Sequence, residues 1–377
     1  MFLKLRFKPL NNKKEGFIME TLKEFNKKEG FLMGTLKELY KNLINDPDRW
    51  LYYNSNQPSL KYEMLFDETA SYDFIINYFK CGGKEKVFED DPYIIKNEFV
   101  LKERSPHIVS TFLLGILIAK NLKIDLNTNN NDNINFKYLW FMACLYHDIG
   151  YVYENDYNCM NLRMVQKEGL KALKEICDIK YMCNNEFKTY KKGYIDLYFS
   201  NRAICSSGNI GKIDHGIVGG LLLYDRLRKN FYEARNKANR NDPNFSMDKF
   251  KYNELNYSKT HFEYYAEAAD AIIAHNIWIN TLNEYLTKNN KVPLEGNKID
   301  KNNKIAFILA LADTLEPIKK YGIFALNMIS FKKMDDGFDL IMPDEIKEND
   351  FNYIFNLSDW INVDVNRCGN RFSIRYK

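Results

Sequence analysis

The chain carries only five histidines, His107, His147, His215, His261 and His275, and one of them precedes an aspartate in the stretch LYHDIGYVYE, residues 145 to 154. Neutral imidazole and carboxylate together form the donor set of iron, manganese or zinc sites, with magnesium as a further option, whereas calcium prefers oxygen alone. His107 stands in SPHIVSTFLLG, His147 and Asp148 close the apolar run FKYLWFMACLYHDIG, and His215 opens HGIVGGLLLYDRL. His275 closes EYYAEAADAIIAH, and Asp313 is set within IAFILALADTLEP. A single histidine on an apolar helix is ordinarily a hydrogen-bonded core residue, and a single aspartate can be satisfied by a helix terminus or a lysine. As a group they ask for more, because an ionised carboxylate inside ILALAD is costly unless something positive meets it. One divalent cation, or two, shared among the aspartates and imidazoles meets that need for all of them at once, and no cysteine ligand is required.

The elements that must position these groups read as helices. Ser105 as N-cap and Pro106 as first helical residue place His107 in the opening turn of an apolar helix. Adjacent helical residues point roughly 100° apart, so an ion over the end of the helix can be gripped by both His147 and Asp148, with its other ligands coming from neighbouring helices. Gly219 and Gly220 let a second helix approach the one that His215 opens, and Pro317 bends or stops the helix of Asp313. His261, in SKTHFEYY, falls in a polar stretch before its helix and is expected at the surface or as a helix cap.

The order His107, then His147-Asp148, then Asp313, each on a largely apolar helix, resembles the HD superfamily of metal-dependent phosphohydrolases over roughly residues 100 to 320. The intervening His215 and His275 fall where the two-metal members, including the HD-GYP cyclic-dinucleotide phosphodiesterases, place ligands of a second ion. HDIGY is similar to the HDIGK of that subgroup. Tyr151 stands in place of the subgroup's lysine and Asn276 in place of a histidine, and no Gly-Tyr-Pro follows AHNIW, which argues against cyclic di-GMP cleavage. The HDxxED signature of alarmone hydrolases is also missing, since HDIGYV stands in its place.

The resemblance implies a helical bundle that hydrolyses a phosphate ester or anhydride of a nucleotide or small phosphoester. His107, His147, Asp148 and Asp313 would hold one ion, and catalytic Asp148 could bridge to a second held by His215 and His275. Two ions acidify a bridging water and clamp the phosphoryl oxygens, so the nucleophile is hydroxide. Arg104, ahead of His107, is a candidate phosphate clamp, and Tyr151 a pocket-lining residue. With one ion only, His215 and His275 would contact substrate instead. The alternatives are an HD-type nuclease, for which no concentrated basic and aromatic strand path is evident, and a degenerate HD module that binds metal or nucleotide and regulates a partner.

The chain has 377 residues, 45% of them hydrophobic, and its 54 Lys and Arg against 50 Asp and Glu give a net charge of +4. That balance describes a folded protein with little pull toward nucleic acid. The longest apolar runs, FLLGILIA and LWFMACLY, are far short of the ~20 residues a membrane span needs, and the start lacks the apolar core of a signal peptide. Seven scattered cysteines without a C-x-x-C pair fit a reducing cytoplasm. Residues 12 to 25, NKKEGFIMETLKEF, recur at 26 to 39 as NKKEGFLMGTLKEL. Ile18, Leu22, Phe25, Leu32, Leu36, Leu39 and Leu43 then mark one face of an amphipathic helix. The polar stretches 127 to 135 and 236 to 250 read as loops, and WINVDVNRCGNRFSIRY reads as a β-hairpin. The expected fold is mainly α, with an N-terminal helical extension over 1–60, an HD helical bundle over 61–325 and a small β-containing segment over 326–377.

Overall fold

Apolar runs without polar interruption have no solvent face to offer, so they fold as helices enclosed by other helices. The computed structural model describes residues 33–46, 51, 57–89, 91–124, 136–154, 164, 165, 167–182, 214–238, 245–289, 298–343 and 352–377, the side chains of 92, 154, 276–289 and 352 excepted. Its main helices are α1 (Leu36–Ile44), α2 (Glu68–Cys81), α3 (Glu98–Asn121), α4 (Phe136–Tyr146), α5 (His215–Lys237), α6 (His261–Asn289) and α7 (Lys304–Leu315). Helix α4 lies at the centre, touching α3, α6 and α7, while α2 packs on α3 and α5 runs along α6. On α4 only Lys137 and Tyr138 escape full burial, and on α7 the run from Ile305 to Asp313 is buried throughout. The ring of Trp140 stacks on Phe112 and its indole N–H donates to the carbonyl of that residue, which fixes α4 against α3. The close approach of α5 to α6 depends on Gly220, where a Cβ would stand 2.5 Å from the carbonyl oxygen of Ala269. No described helix is long and apolar enough to cross a membrane.

An antiparallel sheet caps one end of the bundle, with strand order β1-β4-β5-β7-β6. Its members are β1 (Met33–Thr35), β4 (Ser330–Met334), β5 (Gly337–Ile341), β6 (Val363–Cys368) and β7 (Arg371–Tyr376). The last two form the hairpin expected around CGN, turning at Gly369 with φ +60°. Phe331, Phe338, Leu340, Phe372 and Ile374 are buried, and Tyr376 meets Phe307 of α7 edge to face. Through β1 the N-terminal region joins this sheet, Gly34 pairing with Phe331.

The amphipathic face at Leu36, Leu39 and Leu43 is buried as expected, but residues 33–35 before it are extended, because Thr35 starts α1 with a capping box to Glu38. The first copy of the repeat and the stretch 127 to 135 lie outside the described residues. Helix α3 begins at Glu98, so Ser105 is not its N-cap and Pro106 lies inside it. The Ser105 hydroxyl donates to the carbonyl of Leu101 at 2.6 Å, and burial of Leu101 and Ser105 outweighs the penalty of an interior proline. Helix α6 continues past His275, since no glycine or proline follows for more than two turns. The stretch 236 to 250 gives α5 its last turn and then strand β2 (Lys249–Tyr252), which pairs with β3 (Leu255–Ser258) across Asn253 and Glu254, both at positive φ.

Candidate metal centre

Five segments distant in sequence deliver the site. His107 comes from the middle of α3, and His147 and Asp148 from the turn that leaves α4. His215 is the first residue of α5, where Asp214 caps the helix by accepting from the amides of Gly216 and Ile217. His275 comes from the interior of α6, and Asp313 from the last turn of α7. All six are buried, His147 and Asp148 completely. The turn that carries His147 and Asp148 is held against α5 by contact too close for a side chain, since a Cβ on Gly150 would stand 1.9 Å from the carbonyl oxygen of His215.

Ligand atoms of His107, His147 and Asp148 lie within 4.8 Å of one another, as do those of His147, His275 and Asp313 and those of Asp148, His215 and His275. Asp313 Oδ1 is 2.9 Å from His107 Nε2 and 3.3 Å from His147 Nε2. Asp148 Oδ1 is 3.4 Å from His147 Nε2 and 3.5 Å from His215 Nε2, while its Oδ2 is 3.7 Å from His107 Nε2. The structure therefore brings together every histidine and aspartate expected as a ligand.

The opposite ring nitrogens set the tautomers. His147 Nδ1 donates to the carbonyl of Cys144 and His275 Nδ1 to that of Ile272, each at 2.6 Å. His107 Nδ1 donates to Glu316 Oε2, also at 2.6 Å. A neutral ring with its proton on Nδ1 presents a lone pair at Nε2, so His147 and His275 aim lone pairs into the cluster that holds Asp148 and Asp313, whereas His107 has a carboxylate at each ring nitrogen and carries a proton on both. Only a shared proton or a cation reconciles such neighbours. For His275, burial, with His147 and His215 nearby, outweighs Asp313 and lowers the pKa to about 3, which favours the neutral ring. Its Nε2 makes no hydrogen bond among the described residues, and neither does Asp148 Oδ1. Buried acceptors of this kind, gathered in three overlapping groups and braced from behind by carbonyls and a carboxylate, fit a divalent metal ion.

The remaining charges are consistent with that fit. Burial opposes ionisation of Asp148 and Asp313, yet Arg104 chiefly holds the first, and Lys319 the second, well below the usual carboxylate range. Burial also opposes a charged His107, but its contacts with Asp313 and Glu316 prevail and push its pKa up to about 9. Arg104 Nε donates to Asp148 Oδ2 at 2.9 Å. Its guanidinium lies 3.3 Å from the ring centre of Tyr151, which stacks on His215 at 3.7 Å. Two groups so close cannot share a face, so Tyr151 is sandwiched between a cation and a ring at the edge of the site.

His261 lies elsewhere. It opens α6 beside Tyr138, Tyr264 and Tyr265, and burial together with Lys84 lowers its pKa to about 4. It is half-buried at the first position of the helix, close to the surface or cap position expected, with aromatic rings of α4 and α6 against it. Sequence reasoning passed over Glu316 and Lys319, whose only signal is the polar cluster EPIKK directly after the buried helix of Asp313. Comparison of the chain with protein-family models, curated proteins and solved structures gives no match.

Proposed function

We propose that the chain is a metal-dependent phosphohydrolase of the HD type, acting on a phosphate ester or anhydride of a nucleotide or small phosphoester. The observation that carries this reading is the convergence of imidazole Nε2 atoms and aspartate oxygens in a buried cluster that also contains an arginine. A bound divalent ion supplies charge for phosphoryl oxygens and acidifies water. His107, His147, Asp148 and Asp313 would hold it. The two oxygens of Asp148 face different histidines, which suits a carboxylate shared with a second ion on His215 and His275.

Each side chain has its own task. Asp148 and Asp313 remain ionised as acceptors, so they bind cations without first releasing a proton. The carbonyls of Cys144 and Ile272 keep His147 and His275 in the ligating tautomer. Arg104 is placed to receive a phosphoryl oxygen, and stacking on Tyr151 fixes the orientation of the planar guanidinium. The enclosing apolar helices keep bulk water away from the cluster, which strengthens every charge interaction within it.

The test is turnover of 4-nitrophenyl phosphate, bis(4-nitrophenyl) phosphate and a panel of nucleotides by the chain loaded with manganese, iron or zinc. Hydrolysis that disappears in Asp148→Asn is expected. A metal-loaded parent that releases neither nitrophenol nor phosphate from any of them contradicts the reading.

A further inference from the structure

The site contains two cations, each against a different aspartate. Arg104 spends its Nε on Asp148, but its Nη2 is buried and makes no hydrogen bond among the described residues. Lys319 Nζ stands 3.6 Å from Asp313 Oδ1, too far for a good hydrogen bond, on a side chain 41% exposed. Both groups therefore hold donors beyond those the aspartates engage. A guanidinium is a planar fork and an ammonium a compact point charge with rotatable donors, so the pair suits a tetrahedral oxyanion from two directions.

Lys319 is also built into place. The carboxylate of Glu316 accepts the amide N–H of Ile318 at 2.9 Å and that of Lys319 at 3.2 Å. The same carboxylate accepts from His107 Nδ1. One side chain thus orients a metal-side imidazole and the backbone that carries the ammonium.

We propose that Lys319 is a second contact for the substrate phosphate, opposite in character to Arg104, and that Glu316 is the positioning residue linking it to His107. This rests on the phosphohydrolase reading. The buried Nη2 of Arg104 serves the phosphate from within the site, and the partly exposed Lys319 serves it from the solvent side. Lys320, the next residue, is differently engaged, with its ammonium 3.8 Å from the ring centre of Tyr353, and so provides a control of equal charge.

The experiment is calorimetric titration of inorganic phosphate into the metal-loaded full chain, as parent, Lys319→Met, Lys319→Arg and Lys320→Met, with metal per chain measured on each sample. Lys319→Met is expected to weaken phosphate binding by about ten- to a hundredfold, with metal content kept. Lys319→Arg should restore much of the loss, and Lys320→Met should match the parent. Phosphate binding unchanged in Lys319→Met, or weakened equally in Lys320→Met, overturns the assignment and leaves the phosphohydrolase reading standing. A metal-loaded parent that binds no phosphate overturns both.

Discussion

Asp313 Oδ1 lies 2.9 Å from His107 Nε2, although the residues are 206 positions apart and both are buried. Fold energy is spent on that contact, because it holds a carboxylate from the last turn of one apolar helix and an imidazole from the middle of another away from water. Around it the chain gathers His147, Asp148, His215 and His275, and their shared need for a positive partner is the basis of the account.

Glu316 should govern metal affinity without being a ligand. It accepts from His107 Nδ1 and so raises the basicity of the nitrogen on the other side of the ring. Glu316→Gln is expected to weaken divalent metal binding by about ten- to a hundredfold. Competition with a chromophoric chelator reads this directly, and an affinity equal to that of the parent would contradict it.

The backbone contact at Gly150 should be intolerant of one carbon. A Cβ there would meet the His215 carbonyl oxygen at 1.9 Å and the Gly219 amide nitrogen at 2.9 Å, and backbone atoms cannot rotate aside. Gly150→Ala is expected to cost about 1–3 kcal/mol in denaturant unfolding and to lower metal retention, since the turn carries His147 and Asp148. Parent-like stability with full metal content would show that the turn can shift freely.

Lys84 gives a pH signature remote from the metal. It is buried, its ammonium donates to the carbonyl of Gly82, and burial lowers its pKa from 10.5 to about 8. Between those values the unfolded chain holds a proton that the folded chain has lost, so this group's penalty is full below pH 8 and fades as pH rises toward 10.5. Lys84→Met should therefore be more stable than the parent at pH 7, by up to about 3 kcal/mol, with an advantage that shrinks by pH 10. The same variant should raise the pKa of His261, which Lys84 helps to depress. Denaturation at the two pH values and an NMR titration of His261 check both, and a stability difference independent of pH would refute the first.

Much of the site was legible because scarce histidines next to aspartate stand out against apolar helices. His147, Asp148, His215 and Asp313 fall on helix ends or turns close to where their sequence patterns put them. Pro106 reads as a helix start, but burial of Leu101 and Ser105 carries α3 through it, and α6 runs on past His275 because no glycine or proline follows to stop it. The hairpin at 249–258 was hidden because its turn uses Asn253 and Glu254 in place of glycine. Glu316 and Lys319 were not legible, since their roles depend on where the chain goes after Pro317, and that is set by packing against α3.

The most direct test is metal per chain, measured by elemental analysis on protein purified without oxygen or chelator and again after titration with iron, manganese or zinc, for the parent, His275→Ala and Asp148→Ala. Stoichiometric uptake of a divalent ion by the parent is expected, reduced in His275→Ala and lost in Asp148→Ala. A parent that takes up no ion under any of these conditions would contradict the metal centre, and with it the function proposed for the chain.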